Sequence, residues 1–190
     1  GVVTTPEAIY IVFRGTCTDS LVDIIIDLGF VTHDEAPHQL RVHGNMWNAL
    51  HQRRSHVVQA VKDRVLLEAK TFNRQVVLCG HSLGGGYAIL TALDLLYQDL
   101  RLSAVVTFGA PQVIVPDHDN AWWQALNDIT KLYINSYDIV PRLPSCIPWI
   151  FQVLPNSGIL NKSVGPLTLN VNLSQQLDGK LGHQKELLVD

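Results

Sequence analysis

The chain has 190 residues, 47% of them hydrophobic and 16% charged, with a formal net charge of −3 at neutral pH. That length accommodates one domain with a substantial core. The acidic balance and the lack of any Lys/Arg-rich block exclude the basic footprint of a nucleic-acid binder, and no apolar run reaches the length of a membrane span.

Ala8-Ile9-Tyr10-Ile11-Val12-Phe13 predicts a buried strand, ended by Arg14-Gly15-Thr16. Thr18 to Phe30 predicts a short amphipathic or irregular segment centred on Ile24-Ile25-Ile26. From Gly44 to about Lys70, the residues Met46, Leu50, Val57, Val58, Val61, Val65 and Leu66 recur near helical spacing. Gln75 to Cys79 predicts a strand, Gly84 to about Tyr97 a helix, and Ala104 to Phe108 a strand closed by Gly109-Ala110-Pro111. Asp117 to Leu126 predicts a helix capped by an Asp or Asn. Lys131 to Asn135 is a further strand, turning at Asp138-Ile139-Val140-Pro141, and Pro144 to Leu173 predicts a terminal hairpin. Strands that alternate with helices imply βαβ units, hence a mainly parallel sheet covered on both faces by helices. No repeat or linker interrupts the chain, and residues 1–190 read as a single α/β domain.

Most of the chemical content lies at one connection. Gly80-His81-Ser82-Leu83-Gly84 follows the strand Gln75-Val76-Val77-Leu78-Cys79 and precedes Gly85-Gly86-Tyr87-Ala88. Strand, sharp turn and helix therefore follow one another, with a serine at the apex. A hydroxyl is a poor nucleophile until geometry and a neighbouring base activate it. Glycines on both sides of Ser82 permit the strained turn that lifts Oγ clear of the sheet. The plainer reading, a glycine-rich connection with an incidental serine, gives no account of the partners found downstream.

A serine nucleophile needs a base to take its proton, and the base needs an acid to fix its tautomer and stabilise its cation. In strand–turn–helix hydrolases these follow in the order Ser, Asp or Glu, His. Of the eight histidines, only His118 and His183 lie beyond Ser82. His118 would require Asp94 or Asp99, on or just past the nucleophile's own helix, or its immediate neighbour Asp117. His183 is therefore the expected base, with an acid among Asp117, Asp119, Asp128, Asp138 and Asp178. Asp138 is the best of these, since it follows a core strand at the sheet edge where ligands bind. The others read as caps, helix-surface charges or, in Asp178-Gly179, a turn. The backbone N–H of Leu83 is the expected first donor of an oxyanion hole. Thr16, at the end of a neighbouring strand, offers the second.

Four segments carry a family resemblance: Val12-Phe13-Arg14-Gly15-Thr16, Gly80-His81-Ser82-Leu83-Gly84-Gly85, Thr107-Phe108-Gly109-Ala110-Pro111, and Asn135-Ser136-Tyr137-Asp138-Ile139-Val140-Pro141-Arg142-Leu143-Pro144. In this order they resemble the class 3 lipases, the fungal triacylglycerol lipase family of α/β-hydrolases. The resemblance implies an α/β-hydrolase fold, with Ser82 as nucleophile, Asp138 as acid, His183 as base, and Thr16 with Leu83 as the oxyanion hole. It implies cleavage of the carboxylic ester bonds of acylglycerols through an acyl-enzyme, without metal or organic cofactor. Phospholipid, galactolipid and feruloyl-type esterases fall within it, as does an inactive lipase-fold binding or signalling protein. Family members usually carry an N-terminal helix and one or two strands before the Phe-Arg-Gly strand. That part is expected to be missing from a chain whose strand begins at Ala8.

The same resemblance implies a lid from Thr18 to about Ile26, with Asp19 and Asp23 beside Leu21, Val22, Ile24, Ile25 and Ile26, for transient contact with a lipid–water interface. An ordinary edge helix over the core is the competing reading. Cys146-Ile147-Pro148-Trp149-Ile150-Phe151 fits the wall of an acyl site and fits core packing equally. On a helix, Trp122 and Trp123 point about 100° apart, so one can be buried and the other exposed. Cys17, Cys79 and Cys146 form neither a disulfide framework nor a zinc spacing. His33, His38 and His43 recur without the carboxylate or cysteine that would complete a metal site, and Asp117-His118-Asp119 makes no calcium loop. The opening Gly1-Val2-Val3-Thr4-Thr5-Pro6 lacks the features of a secretory leader, and the compartment stays open.

Overall fold

The computed structural model describes residues 1–15, 32–33, 39–51, 59, 63, 65, 67–69, 71–135, 138, 140–142 and 186–188. Apolar side chains build its central sheet. In β2 (Ala8–Phe13), Ile9 and Ile11 are buried while Tyr10 and Val12 are exposed, the period-two pattern of a strand with one covered face. Val76 and Leu78 of β5 (Gln75–His81) and Val105 of β6 (Ala104–Phe108) lie on the same covered side. The order is β1-β2-β5-β6-β7-β8, with β1 being Val2–Thr4, β7 Thr130–Ile134 and β8 Glu186–Leu188. Only β1 is antiparallel to its neighbour, pairing Val3 with Tyr10. All later pairs are parallel, with Tyr10 opposite Val77, Cys79 opposite Val106, Thr107 opposite Leu132, and Leu132 opposite Glu186. A separate two-stranded ribbon pairs β3 (Thr32–His33) with β4 (Val42–His43).

Among the described residues, one helix lies directly on the large sheet and others pack against that helix. Helix α1 (Gly44–His51) buries Met46, Trp47 and Leu50. Helix α2 (Leu83–Tyr97) is apolar almost all round, and Leu90, Leu93 and Leu95 are fully buried, as expected of a helix at the centre of a core. Helix α3 (Ala121–Ile129) leads straight into β7. Between α1 and β5, residues 59, 63, 65, 67–69 and 71–72 are helical, with Val65 and Ala69 in the core.

The α/β reading and the alternation of elements match the expectation, and three details differ. From β2 onward the strands of the large sheet advance in one direction, and right-handed crossovers then place their helices on one face. Helix α2 contacts both α1 and α3, so the described helices share that face. Among the described residues the opposite face, with Val12 and Phe108 40% and 47% exposed, carries no helix. Coverage of both faces is therefore not what the described part shows. Helix α3 begins at Ala121 because the Asn120 side chain accepts from the amides of Trp122 and Trp123, whereas Asp117 accepts from the amide of Asp119 in a local turn. The strands β1, β3, β4 and β8 had no counterpart in the sequence reading. The hairpin expected from Pro144 to Leu173 lies outside the described residues. No described helix is long and apolar enough to cross a membrane.

Candidate active site

Ser82 stands between the end of β5 at His81 and the start of α2 at Leu83. Its backbone has φ 53° and ψ −130°, a sparsely populated conformation for a residue with a Cβ. The turn is held on three sides. The Ser82 N–H donates to the Phe108 carbonyl at 2.9 Å, and its own carbonyl accepts from Gly85 N–H at 2.9 Å. No Cβ could fit at Gly80, where the Gly84 carbonyl lies. Serine is a good helix cap, yet here its side chain makes no capping bond. The Ser82 Oγ is buried and has no hydrogen-bond partner among the described residues. Among the described residues, the hydroxyl therefore ties no part of the fold together.

Leu83 opens α2, so its N–H is among the first-turn amides that have no partner inside the helix. The positive end of the helix dipole lies there as well, a setting that favours developing negative charge. On the other side comes the end of β2. A Cβ on Gly15 would lie 2.6 Å from the His81 carbonyl and 3.5 Å from Ser82 Cβ, so the Arg14–Gly15 turn runs directly against the serine. Thr16, the next residue, lies outside the described residues.

Asp138 reaches the same edge from β7. Its N–H donates to the Asn135 carbonyl at 2.9 Å, and its Oδ1 accepts from Val140 N–H at 2.9 Å. Arg142, in the 3-10 turn Val140–Arg142, is 8% exposed and donates from its guanidinium to the Asp138 carbonyl. The Oδ2 oxygen lies over Gly109, only 2.5 Å from where a Cβ on that residue would be. Gly109 adjoins Phe108, whose carbonyl holds the Ser82 amide. Ser82 and Asp138 therefore meet on consecutive residues at the carboxyl end of β6. Gly109 and Arg142 were quoted in the sequence motifs without a role, although a glycine directly after a strand and a charge in a Pro-containing turn were the available signals.

A strained serine between strand and helix, with a carboxylate at the same sheet edge, occurs here in a chain whose relatives are known. The family model "Lipase (class 3)" matches residues 10–147. This chain belongs to the class 3 lipase family. It is 33% identical to a lipase of Rhizomucor miehei over 144 residues, which cover 73% of this chain and 38% of that protein. A lipase of Rhizopus oryzae is 31% identical over the same length, covering 35% of its own. The structure of the Rhizomucor miehei lipase propeptide complex superposes with a TM-score of 0.59 at 33% identity, covering 74% of this chain and 45% of that one. Another solved neighbour, with a TM-score of 0.58 at 32% identity, is described as a triacylglycerol lipase whose catalytic centre is a serine protease triad. The chain thus spans well under half the length of the curated lipases it matches.

Within this α/β-hydrolase fold the remaining expected site residues fall differently. His183 lies outside the described residues, and so do the segments Thr18–Ile26 and Cys146–Phe151. The two tryptophans differ less than one buried and one exposed ring: Trp123 is 9% exposed and packs edge-on against His118, while Trp122 is half-buried against the core and meets Tyr97 edge-on.

Proposed function

We propose that this chain carries the nucleophile, the orienting acid and the oxyanion hole of a serine hydrolase that cleaves carboxylic esters of acylglycerols. The observation that carries the reading is Ser82 itself: a strained apex residue whose buried hydroxyl meets no hydrogen-bond partner among the described residues, beside the first amides of α2. Evolutionary relatives named as lipases support the substrate class.

In this mechanism Ser82 Oγ attacks the ester carbonyl as its proton passes to a histidine base. The negative charge that develops on the carbonyl oxygen is met by Leu83 N–H and by Thr16. Collapse expels the alcohol, which takes the proton from the imidazolium, and leaves Ser82 acylated. Water, deprotonated by the same base, then releases the fatty acid and restores the serine. Asp138 orients the imidazole and stabilises its cation, with no metal or cofactor needed for any step. His183 is put forward as the base on chain order and on the family resemblance.

The test is hydrolysis of p-nitrophenyl esters from acetyl to palmitoyl, below and above the aggregation points of the long chains, with Ser82→Ala in parallel. Serine-dependent turnover that favours long chains supports the lipid-ester reading. Serine-dependent turnover of short soluble esters alone makes the chain an ordinary esterase. Folded protein without serine-dependent turnover supports a lipase-fold binding protein instead. His183→Ala belongs in the same series: a loss as deep as that of Ser82→Ala makes His183 the base, and a loss below about tenfold removes it from the triad.

A further inference from the structure

We propose that Gly109 is a positioning residue of this reaction, whose bare Cα makes the space in which the Asp138 carboxylate is held. The inference rests on the hydrolase reading above. Gly109 has φ +57°, which by itself explains a preference for glycine. The structure adds a second and separable reason. A Cβ built on Gly109 would lie 2.5 Å from Asp138 Oδ2 and 3.7 Å from its Cγ, and the first distance is shorter than any real Cβ contact. The φ value alone would be met by Asn, which tolerates left-handed backbone. The contact with Oδ2 would not, because Asn carries a Cβ too.

The carboxylate has little freedom to give way. Its Oδ1 is fixed by Val140 N–H, its own N–H is held by the Asn135 carbonyl, and its carbonyl is held by the buried Arg142. Gly109 is equally fixed, since its N–H donates to the Tyr133 carbonyl at 2.9 Å. Among the described residues Oδ2 accepts no hydrogen bond. It is therefore the oxygen left to receive the N–H of the base. Apart from chain neighbours, Asp138 is the only described residue within 4 Å of a Cβ on Gly109, so a side chain at residue 109 acts on this oxygen directly. Misplacing a catalytic group by about 1 Å is enough to cost about 100-fold in rate.

The experiment is a double-variant comparison that separates the contact from the backbone conformation. Gly109→Ala, Gly109→Asn, Asp138→Ala and the double variant Gly109→Ala/Asp138→Ala are assayed for kcat and KM on p-nitrophenyl butyrate, and for Tm. Gly109→Ala and Gly109→Asn are each expected to lower kcat by about 100-fold with KM little changed. In the Asp138→Ala background, where no carboxylate remains to be displaced, adding Gly109→Ala is expected to leave the residual kcat within about twofold. Recovery of near-normal kcat in Gly109→Asn would overturn the proposal, because φ would then be the whole requirement. Losses that multiply in the double variant would overturn it as well. If Gly109→Ala is too unstable to assay, the double variant is expected to melt above it, and a melting point lowered by the sum of the single effects contradicts the contact. Ser82→Ala is read first. Unchanged hydrolysis there removes the hydrolase reading and this inference together, whereas serine-dependent hydrolysis with multiplicative losses removes this inference alone.

Discussion

Asn73 and Asp99, at the amino edge of the sheet, and Ser82, at its carboxyl edge, share a positive φ of 49°, 56° and 53°. At the amino edge the reason is local. Asp99 ends α2: its N–H donates to the Leu96 carbonyl and the next N–H, of Leu100, to that of Leu95. That bond pair is a Schellman ending, in which a left-handed residue satisfies the last carbonyls of a helix. Asn73 is placed likewise, with the Arg74 N–H returning to the Ala69 carbonyl. Asn and Asp suit this conformation because their short polar side chains bond locally. Ser82 begins a helix instead of ending one, has the wrong side chain for the conformation, and gains no capping bond in return. Strain that a helix ending explains is architecture. Strain without a local return, at the edge where loops converge, points to chemistry.

The contrast is sharpest under the same substitution. Ser82→Ala keeps the strained backbone and removes only Oγ, so stability should hardly move while ester hydrolysis falls by about 10⁶-fold. Asp99→Ala should do the reverse, lowering stability by about 1 kcal/mol through lost left-handed tolerance and leaving hydrolysis unchanged. Thermal melts and initial rates on the two variants check both halves. A large rate loss in Asp99→Ala would erase the distinction.

Next in size is Asp138→Asn. The isosteric amide keeps the packing over Gly109 yet presents the wrong partner to the base, so kcat should fall by about 10⁴-fold with the fold intact. Comparison of kcat with the near-ultraviolet circular dichroism of the folded protein tests this, and a loss below about tenfold would remove Asp138 from the acid role.

The strain itself is measurable. Ser82→Gly allows the observed φ and ψ without a Cβ clash and should raise stability by about 1 kcal/mol. Asp99→Gly, at a site already relaxed, should change stability by less than about 0.5 kcal/mol. Urea denaturation of both variants reads the difference; equal effects would mean that Ser82 is no more strained than a helix end.

The smallest expected effect lies at His43, in β4 of the two-stranded ribbon just before α1. The ring is 4% exposed, and its Nδ1 accepts from the Met46 N–H at a long 3.4 Å. Burial lowers its pKa below the ordinary value of 6.5, outweighing a backbone hydrogen bond that raises it. The folded state therefore favours the neutral ring, and the unfolded chain takes up the proton first as pH falls. Its contribution to stability is complete above pH 6.5 and is lost as pH falls from there through the folded pKa. Tm should decline more between pH 7.5 and 5.5 in the wild type than in His43→Gln, and parallel declines would contradict the assignment.

Much of this was legible in the residues. Gln75–Cys79, the glycines around Ser82 and the apolar run that follows announce the elbow because strand, turn and helix each leave a local signature there. The position of Asp138 at the sheet edge was legible from its place after a core strand. The strand β1 was not, since Val2–Thr4 is exposed throughout and owes its state to pairing with β2. Nor was β8, whose three residues are a strand only because Leu132, Tyr133 and Ile134 lie beside them. The start of α3 was misplaced because Asp117, Asp119 and Asn120 are all good caps, and only the fold selects Asn120. The approach of Gly109 to Asp138 joins residues far apart in sequence, a contact that no spacing rule encodes.

The most direct test of the central claim is labelling with a fluorophosphonate probe, followed by peptide mapping of the adduct. An activated Ser82 loses its proton to the base and bonds to phosphorus as fluoride leaves, so the adduct should map to Ser82 and vanish in Ser82→Ala. A folded protein that takes no label, or takes it elsewhere and keeps it in Ser82→Ala, would contradict the account.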